Sequence, residues 1–377
     1  MADNRAPRLC FLMQRAYPLF NPACRAGFGG AEVNLYHQAT WFAGQGCEVI
    51  FLTGDFGQAD EETREGVCVR RIRRLDLERY RSPWDKARRL ASLFRGIAKA
   101  DADLYVMRAA GENLGWLVLL AQRLMGRKVV FQLAHEMDLR PAACPGLSRK
   151  SRLLYGYGLS RCDLVIAQSA EQQAQLRAIT GLDAVVVRNS FRMGPEDADI
   201  AKTTVLWVAR AEEWKRPRLF LEMARRLPGL PFVMILSGTG ALADAVGEEA
   251  RDIPNLTFAG PVPFGEVDRY FRDARVFVNT SVREGFPNTF IQAFLCGTPV
   301  LSLRVDPDGI LTRGGLGWCC GDDLDAAVRI LGALSQQELE ARGRACRAYA
   351  RQNHGIEQNG PVYRRHYEAL LRREPGG

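Results

Sequence analysis

The stretch "RVFVNTSVREGFPNTFIQAFLCGTPVLSL", Arg275 to Leu303, reads as a strand, a loop, a helix and a second strand. "RVFVNTS" and "PVLSL" are short apolar runs, and "NTFIQAFLC" between them is helical, which makes one unit of a parallel sheet with its crossover helix. The loop is not ordinary core, because Glu284, Gly285, Phe286 and Pro287 come before any apolar periodicity begins. Pro287 suits the first helical position, where a missing amide costs nothing. The amides of Gly285 and Phe286 are then expected to face an anion at the positive end of the helix that Asn288 opens. Gln292 lies five residues past Pro287, roughly 7.5 Å along the helix axis. Glu284 and Gln292 so separated could hold the two ends of one nucleotide sugar, with its diphosphate between them. The plainer alternative makes Glu284 a helix cap.

The same alternation of short apolar runs and helical patterns extends along the whole chain. Strands are expected at "RLCFLMQ", "CEVIFLTG", "GVCVRRI", "DLYVMR", "KVVFQLA", "CDLVIAQ" and "AVVVRN". A second series follows at "TVLWVAR", "FVMILSG", "LTFAG", "RVFVNTS" and "PVLSL", with a last strand at "GWCC". Two series in succession predict an α/β chain of two doubly wound, Rossmann-like domains, residues 1–192 and 193–355. A length of 377 residues suits two cores better than one. The joint falls in "RNSFRMGPEDADIAKT", where Gly194, Pro195 and a cluster of acids interrupt the periodicity. The tail, residues 356–377, carries Val362, Tyr363, Tyr367, Leu370 and Leu371 on one helical face and is expected to pack back on the first domain.

Ligands of open parallel sheets bind beyond the carboxyl ends of the strands. After the first strand comes "GFGGAEVN", where Gly29 and Gly30 let backbone amides approach a phosphate, although a glycine turn before a helix is also a common structural device. After the first strand of the second domain comes "ARAEEWKRP", which sets Arg210 and Lys215 five residues apart. Two cations there suit a diphosphate, Arg as a fork and Lys as a point charge, unless they only pair with Glu212 and Glu213. His135 lies at the end of "KVVFQLAHE", a place where a lone histidine is more often structural than functional.

Composition narrows the alternatives. The ten cysteines are scattered, with no C-x-x-C pair and no zinc-ligand spacing, and are expected to be free thiols of a reducing compartment. No signal peptide precedes the first strand and no apolar run reaches the roughly 18 residues of a membrane span, so the chain is expected to be cytoplasmic. The net charge of +8 is matched by one window: from Arg70 to Lys99 there are eleven Lys and Arg against three acids. No helix-turn-helix, zinc-finger or RRM pattern accompanies them, which argues against nucleic acid as the partner. "RSPWDKARRLASLFRGIAKA" instead sets Trp84, Ala87, Leu90, Ala91, Phe94 and Ile97 beside Arg88, Arg89, Arg95 and Lys99. Such a basic amphipathic helix suits the inner face of an anionic membrane, or else packs its stripe on its own domain.

With "GGAE" near the start, "HE" at His135, "ARAEEWKRP" after the linker and "REGFPNTFIQAFLCGTPVLSL" near the end, the chain resembles the family-4 retaining glycosyltransferases of GT-B architecture. The resemblance implies two Rossmann-like domains facing a central cleft, an acceptor side in residues 1–192 and a nucleotide-sugar side in residues 193–355. It implies that Glu284 contacts the donor hexose, that Gln292 takes the ribose in place of the family's usual Glu, that Arg210 and Lys215 neutralise the leaving diphosphate, and that His135 touches the transferred sugar. It further implies a hexosyltransferase acting without metal or cofactor on a glycan or lipid-linked acceptor, with UDP, GDP or ADP as the carrier. The family's glycine-rich turn after "PVLSL" is altered here to "RVDPDGIL".

Three rivals stand beside this reading. A metal-dependent transferase would want a D-x-D after a strand, a position that Asp306 with Asp308 has. A nucleotide-sugar epimerase could use the same two-domain plan without an acceptor. A non-catalytic binding subunit could keep the fold, though the presence of Glu284, Arg210 and Lys215 speaks against it.

Overall fold

The computed structural model describes residues 6–24, 26–73, 82–144, 146–194 and 202–372. The chain divides into two units, residues 1–192 with 356–377, and residues 193–355. Residues 74–81 of the basic window and Pro195 with the acids after it lie outside the described residues.

In the first unit the chain runs through β1 (Arg8–Leu12), α1 (Tyr17–Phe20), α2 (Gly30–Gly44), β2 (Glu48–Gly54), β3 (Glu61–Arg64), β4 (Val67–Ile72), α3 (Pro83–Ala100), β5 (Leu104–Arg108) and α4 (Glu112–Leu117). A π-helix (Val118–Leu124) continues α4, and β6 (Lys128–Gln132), α5 (Arg149–Arg161), β7 (Leu164–Ala167), α6 (Ala170–Thr180) and β8 (Val185–Val186) follow. The eight strands form one sheet in the order β3-β4-β2-β1-β5-β6-β7-β8, parallel except for β3. The antiparallel β3, "EETR", was invisible to the apolar pattern because it contains no apolar residue. The expected last strand "AVVVRN" shrinks to two residues.

Crossover helices cover both faces of the sheet. One core holds Leu93 and Ile97 of α3, Leu114 and Leu117 of α4, Leu159 of α5 and Leu176 of α6. The opposite core holds Leu35 and Phe42 of α2. Helices α4 and α5 touch backbone to backbone, since a Cβ on Gly115 would meet the Leu154 carbonyl oxygen at 2.3 Å and one on Gly158 the Gly115 nitrogen at 2.7 Å.

The second unit runs β9 (Thr204–Arg210), α7 (Pro217–Arg226), β10 (Phe232–Ser237), α8 (Ala241–Arg251), β11 (Leu256–Phe258), α9 (Phe264–Asp273), β12 (Ala274–Asn279), α10 (Asn288–Leu295), β13 (Val300–Ser302), β14 (Gly317–Cys319), α11 (Leu324–Ala333) and α12 (Gln336–His354). Its sheet has the order β11-β10-β9-β12-β13-β14, and every pairing is parallel. The strand order turns back between β9 and β12, so the carboxyl ends of these two strands form the crevice of the sheet.

The tail forms α13 (Ile356–Arg372), and its Tyr363, Tyr367 and Leu370 are buried in the first unit. Tyr367 stacks on Phe42 with ring centroids 5.5 Å apart, and its hydroxyl accepts a hydrogen bond from Gln132 at 3.1 Å. Each such large side chain stabilises the attachment by about 1.5–3 kcal/mol.

Helix α3 departs from the expected membrane-facing stripe. Ile97 is in the core, Leu90 and Phe94 pack against it, and only Trp84 and Ala87 of the stripe are exposed. Arg89 is buried on Asp85 at 2.8 Å and is not part of the outer charge. The stripe therefore serves chiefly to seat the helix on its own sheet.

Candidate functional site

At the carboxyl end of β9 the chain turns through Glu213–Lys215, and Arg216 takes the left-handed conformation at φ 50° before Pro217 starts α7. This costly turn is tied to the end of β12. The Arg216 Nε donates to the Thr280 carbonyl at 2.6 Å, the Thr280 hydroxyl donates to the Lys215 carbonyl at 2.5 Å, and the Trp207 indole donates to the same hydroxyl at 2.9 Å. The Val282 amide bonds the Trp214 carbonyl at 2.9 Å, and Arg216 closes on Asp322 at 2.6 Å.

These ties bring Lys215 onto Glu284. Its ammonium is paired with Glu284 Oε1, which also accepts the Ser281 hydroxyl at 2.9 Å, and it lies 4.0 Å from the centre of the Trp214 ring. Both charged side chains are largely buried. Arg210, half exposed, pairs instead with Glu212 at 2.8 Å, the local partner that the sequence allowed.

Pro287 is the cap of α10 rather than its first residue, because its ψ of 124° is extended and the helix starts at Asn288. Phe286 is buried against His354, ring centroids 4.8 Å apart, which anchors the loop before the helix. The Gly285 amide makes no hydrogen bond among the described residues and stands at the helix's positive end. Gln292 is buried, and its Nε2 is 3.4 Å from Asp268 Oδ1 of α9. Asp306, the first acid of the D-x-D that follows β13, accepts from the amides of Leu311 and Thr312 and from the Thr312 hydroxyl.

In the first unit Gly29 caps α2, and its amide, expected to be open to a phosphate, is bonded by Glu32 Oε2 at 2.9 Å. Gly30 is the helix's first residue. His135 lies beyond β6 and caps the turn Glu136–Leu139, its Nδ1 accepting from the Met137 amide at 3.2 Å.

The sequence reading missed Ser281, Thr280, Arg216 and Asp268. A serine three residues before an acid and a basic residue before a helix-starting proline are too frequent to single out; Asp268 reaches Gln292 from a separate helix and leaves no local signal. Among the described residues, no three His, Cys, Asp or Glu side chains gather as a metal site would require.

Residues 29–190 match the family model of a glycosyl transferase 4-like domain, and residues 202–337 that of the glycosyl transferases group 1. The chain is 25% identical to the D-inositol 3-phosphate glycosyltransferase of Mycolicibacterium paratuberculosis, an alignment covering 92% of this chain and 86% of that protein. Its fold is similar to that of sucrose-phosphate synthase from Thermosynechococcus elongatus, with a TM-score of 0.77, 18% identity and coverage of 97% and 99% of the two chains. A structure described as trehalose-6-phosphate from E. coli bound with UDP-2-fluoro glucose matches at a TM-score of 0.67 and 13% identity, over 98% of this chain and all of the other.

Proposed function

The chain belongs to the family-4-like glycosyltransferases of GT-B fold, and on that premise we propose that it moves a hexose-type sugar, with retention at the anomeric carbon, from a nucleotide-diphosphate sugar to a glycan or lipid-linked acceptor. The observation that carries this reading is the cluster of Lys215, Glu284 and Ser281 at the crevice of the second sheet, beside the start of α10. As the bond from the anomeric carbon to the diphosphate breaks, negative charge grows on the leaving oxygen. Lys215 and Arg210 offset it, with the Gly285 amide and the α10 dipole adding to the field. The acceptor hydroxyl attacks from the leaving-group face and passes its proton to the departing phosphate, so no protein carboxylate acts as nucleophile. Glu284 binds the hexose, Gln292 the ribose, and His135 of the first unit donates from Nε2 to a sugar oxygen. Charge neutralisation by side chains alone makes transfer independent of added metal.

One relative is named as a glycosyltransferase and one structure of the same fold is described as bound with UDP-2-fluoro glucose, which supports a nucleotide-sugar donor and leaves UDP as the first carrier to test. The decisive experiment is a thermal-shift panel of UDP, GDP and ADP followed by transfer from the matching sugar nucleotide in excess chelator. One diphosphate raises the melting temperature, and its sugar conjugate gives an acceptor-dependent product of unchanged anomeric configuration. No shift with any nucleotide, or an isomerised sugar formed without acceptor, overturns the reading.

A membrane surface is the setting we favour for the acceptor, and polysaccharide or glycolipid synthesis the pathway. No helix of the described residues is long and apolar enough to cross a membrane. The layer of helices on the α3 face of the first sheet supports this setting. The four exposed large apolar side chains among the described residues, Trp84, Leu124, Leu153 and Ile179, all belong to this layer. Arg88, Arg95, Arg123, Arg149, Lys150 and Arg161 are exposed on it and make no ion pair among the described residues. Only Asp85 and Glu112 supply acid in α3, α4, the π-helix and α5.

A further inference from the structure

Between the ends of β5 and β6 lies a carboxylate that the proposed chemistry does not use. Asp138 is 4% exposed and makes no ion pair among the described residues. Its Oδ2 accepts the backbone amides of Ala134 at 2.7 Å and His135 at 3.1 Å, and its Oδ1 that of Ala110 at 3.3 Å. The Tyr155 hydroxyl holds the Asp138 carbonyl at 2.7 Å. One buried acceptor thus ties the loop after β5 to the loop after β6. The β5 loop is strained where it is tied, because Ala109 has φ +67°, a conformation that a side chain disfavours.

Burial raises the Asp138 pKa and the backbone amides oppose that rise. A carboxylate is kept in such a place only if its hydrogen bonds are made, and an ionised carboxylate, which accepts and never donates, matches three N–H groups. The turn that Asp138 closes is also the one that presents the Met137 amide to His135 Nδ1. With Nδ1 accepting, the neutral imidazole carries its proton on Nε2 and offers a donor.

We infer that Asp138 is a positioning residue for transfer: by gathering the amides of Ala110, Ala134 and His135 it fixes the His135 ring in the tautomer that donates from Nε2 to the sugar. It touches no substrate itself. The inference rests on His135 serving the reaction, as proposed above.

The test is Asp138→Asn, which keeps the shape but replaces one acceptor oxygen by a group that can only donate. In the full-length enzyme kcat falls about 100-fold, the order of loss that a misplaced contact produces, while the donor KM and the thermal shift given by the nucleoside diphosphate stay within about twofold. Nitrogen correlation spectra of the four histidines, with His135 assigned through His135→Gln, show its ring losing the single Nε2–H form. The double variant Asp138→Asn/His135→Gln is no slower than His135→Gln alone. Unchanged kcat, an unchanged His135 ring signal, or losses that multiply in the double variant overturn the inference. If Asp138→Asn does not fold, Tyr155→Phe, which frees only the Asp138 carbonyl, gives the same pattern at smaller amplitude, and no change there is equally fatal. If His135 has no part in transfer, His135→Gln alone keeps full rate; that failure belongs to the functional reading and is separate from any change in the ring signal.

Discussion

The ammonium of Lys215 and the hydroxyl of Ser281 meet on one oxygen of Glu284, at the ends of two adjacent strands. The cation proposed to receive the diphosphate and the acid proposed to receive the sugar are therefore each other's partner. Breaking a buried pair on one side costs more than removing it, by about 3 kcal/mol or more, because the remaining charge is left in a poor solvent. Lys215→Ala is accordingly expected to be less stable to denaturant than Lys215→Met/Glu284→Leu, while both lose transfer by about 100-fold or more. Equal stabilities would mean that water reaches Glu284 and that the pair is not desolvated. Arg210→Ala, which releases only an exposed pair with Glu212, is expected to slow transfer without a change in stability.

Gln292 has a neighbour that bears on why it is not a glutamate. Its amide nitrogen faces Asp268 Oδ1, and a glutamate there would set two carboxylates within hydrogen-bond range. Gln292→Glu is expected to raise the donor KM at neutral pH, and adding Asp268→Asn to restore it. The sequence alone favours simple tolerance of Gln292→Glu, since either side chain accepts from a ribose hydroxyl. A Gln292→Glu enzyme with unchanged KM would show that Asp268 turns away once donor is bound.

How much could be read from the sequence follows from what each feature depends on. The parallel strands were legible because doubly buried strands are continuous apolar runs; β3 was not, being an edge strand of charged residues and threonine. The loop of Glu284 was legible because Gly285 and Pro287 punctuate it locally. The partnership of Glu284 with Lys215 spans 69 positions and depends on β9 lying beside β12, a fact of topology. Asp138 is intermediate: an acid three residues after a capping residue is a local signature, but its bond to Ala110 is not.

A pH dependence of stability should come from His37 on α2. Its Nε2 is buried without a hydrogen-bond partner, and burial, with Arg192 nearby, lowers its pKa to about 4. The unfolded chain binds this proton near pH 6.5 and the folded one only near 4, so in that window the unfolded state carries more protons and stability falls as pH falls. At about 1.4 kcal/mol per pH unit the contribution is at most about 3.5 kcal/mol. His37→Phe removes the group, and its denaturation free energy should lose less than the wild type between pH 6.5 and 4.5. Parallel curves for the two proteins would mean that His37 is solvated in the folded state.

The basic outer layer of the first unit gives the last prediction. Arg88, Arg95 and Lys150 stand on α3 and α5, exposed and without ion pairs among the described residues, with Trp84 and Leu153 each 76% exposed or more on the same two helices. Arg89, adjacent in sequence, is engaged with Asp85 and should contribute nothing. Each basic residue near an anionic surface contributes about 1 kcal/mol, so reversing these three to glutamate should weaken sedimentation with anionic phospholipid vesicles by about 100-fold or more. Arg89→Glu, by contrast, should destabilise the helix without a specific loss of binding. Exposed charges are screened beyond about 8 Å at physiological ionic strength, so raising the salt should weaken the wild type's binding. The Trp84 indole should move to a less polar setting on binding, giving a blue-shifted emission that Trp84→Ala removes. Equal binding to neutral and anionic vesicles, or none to either, would leave the layer as a solvated face and point to an acceptor free in solution.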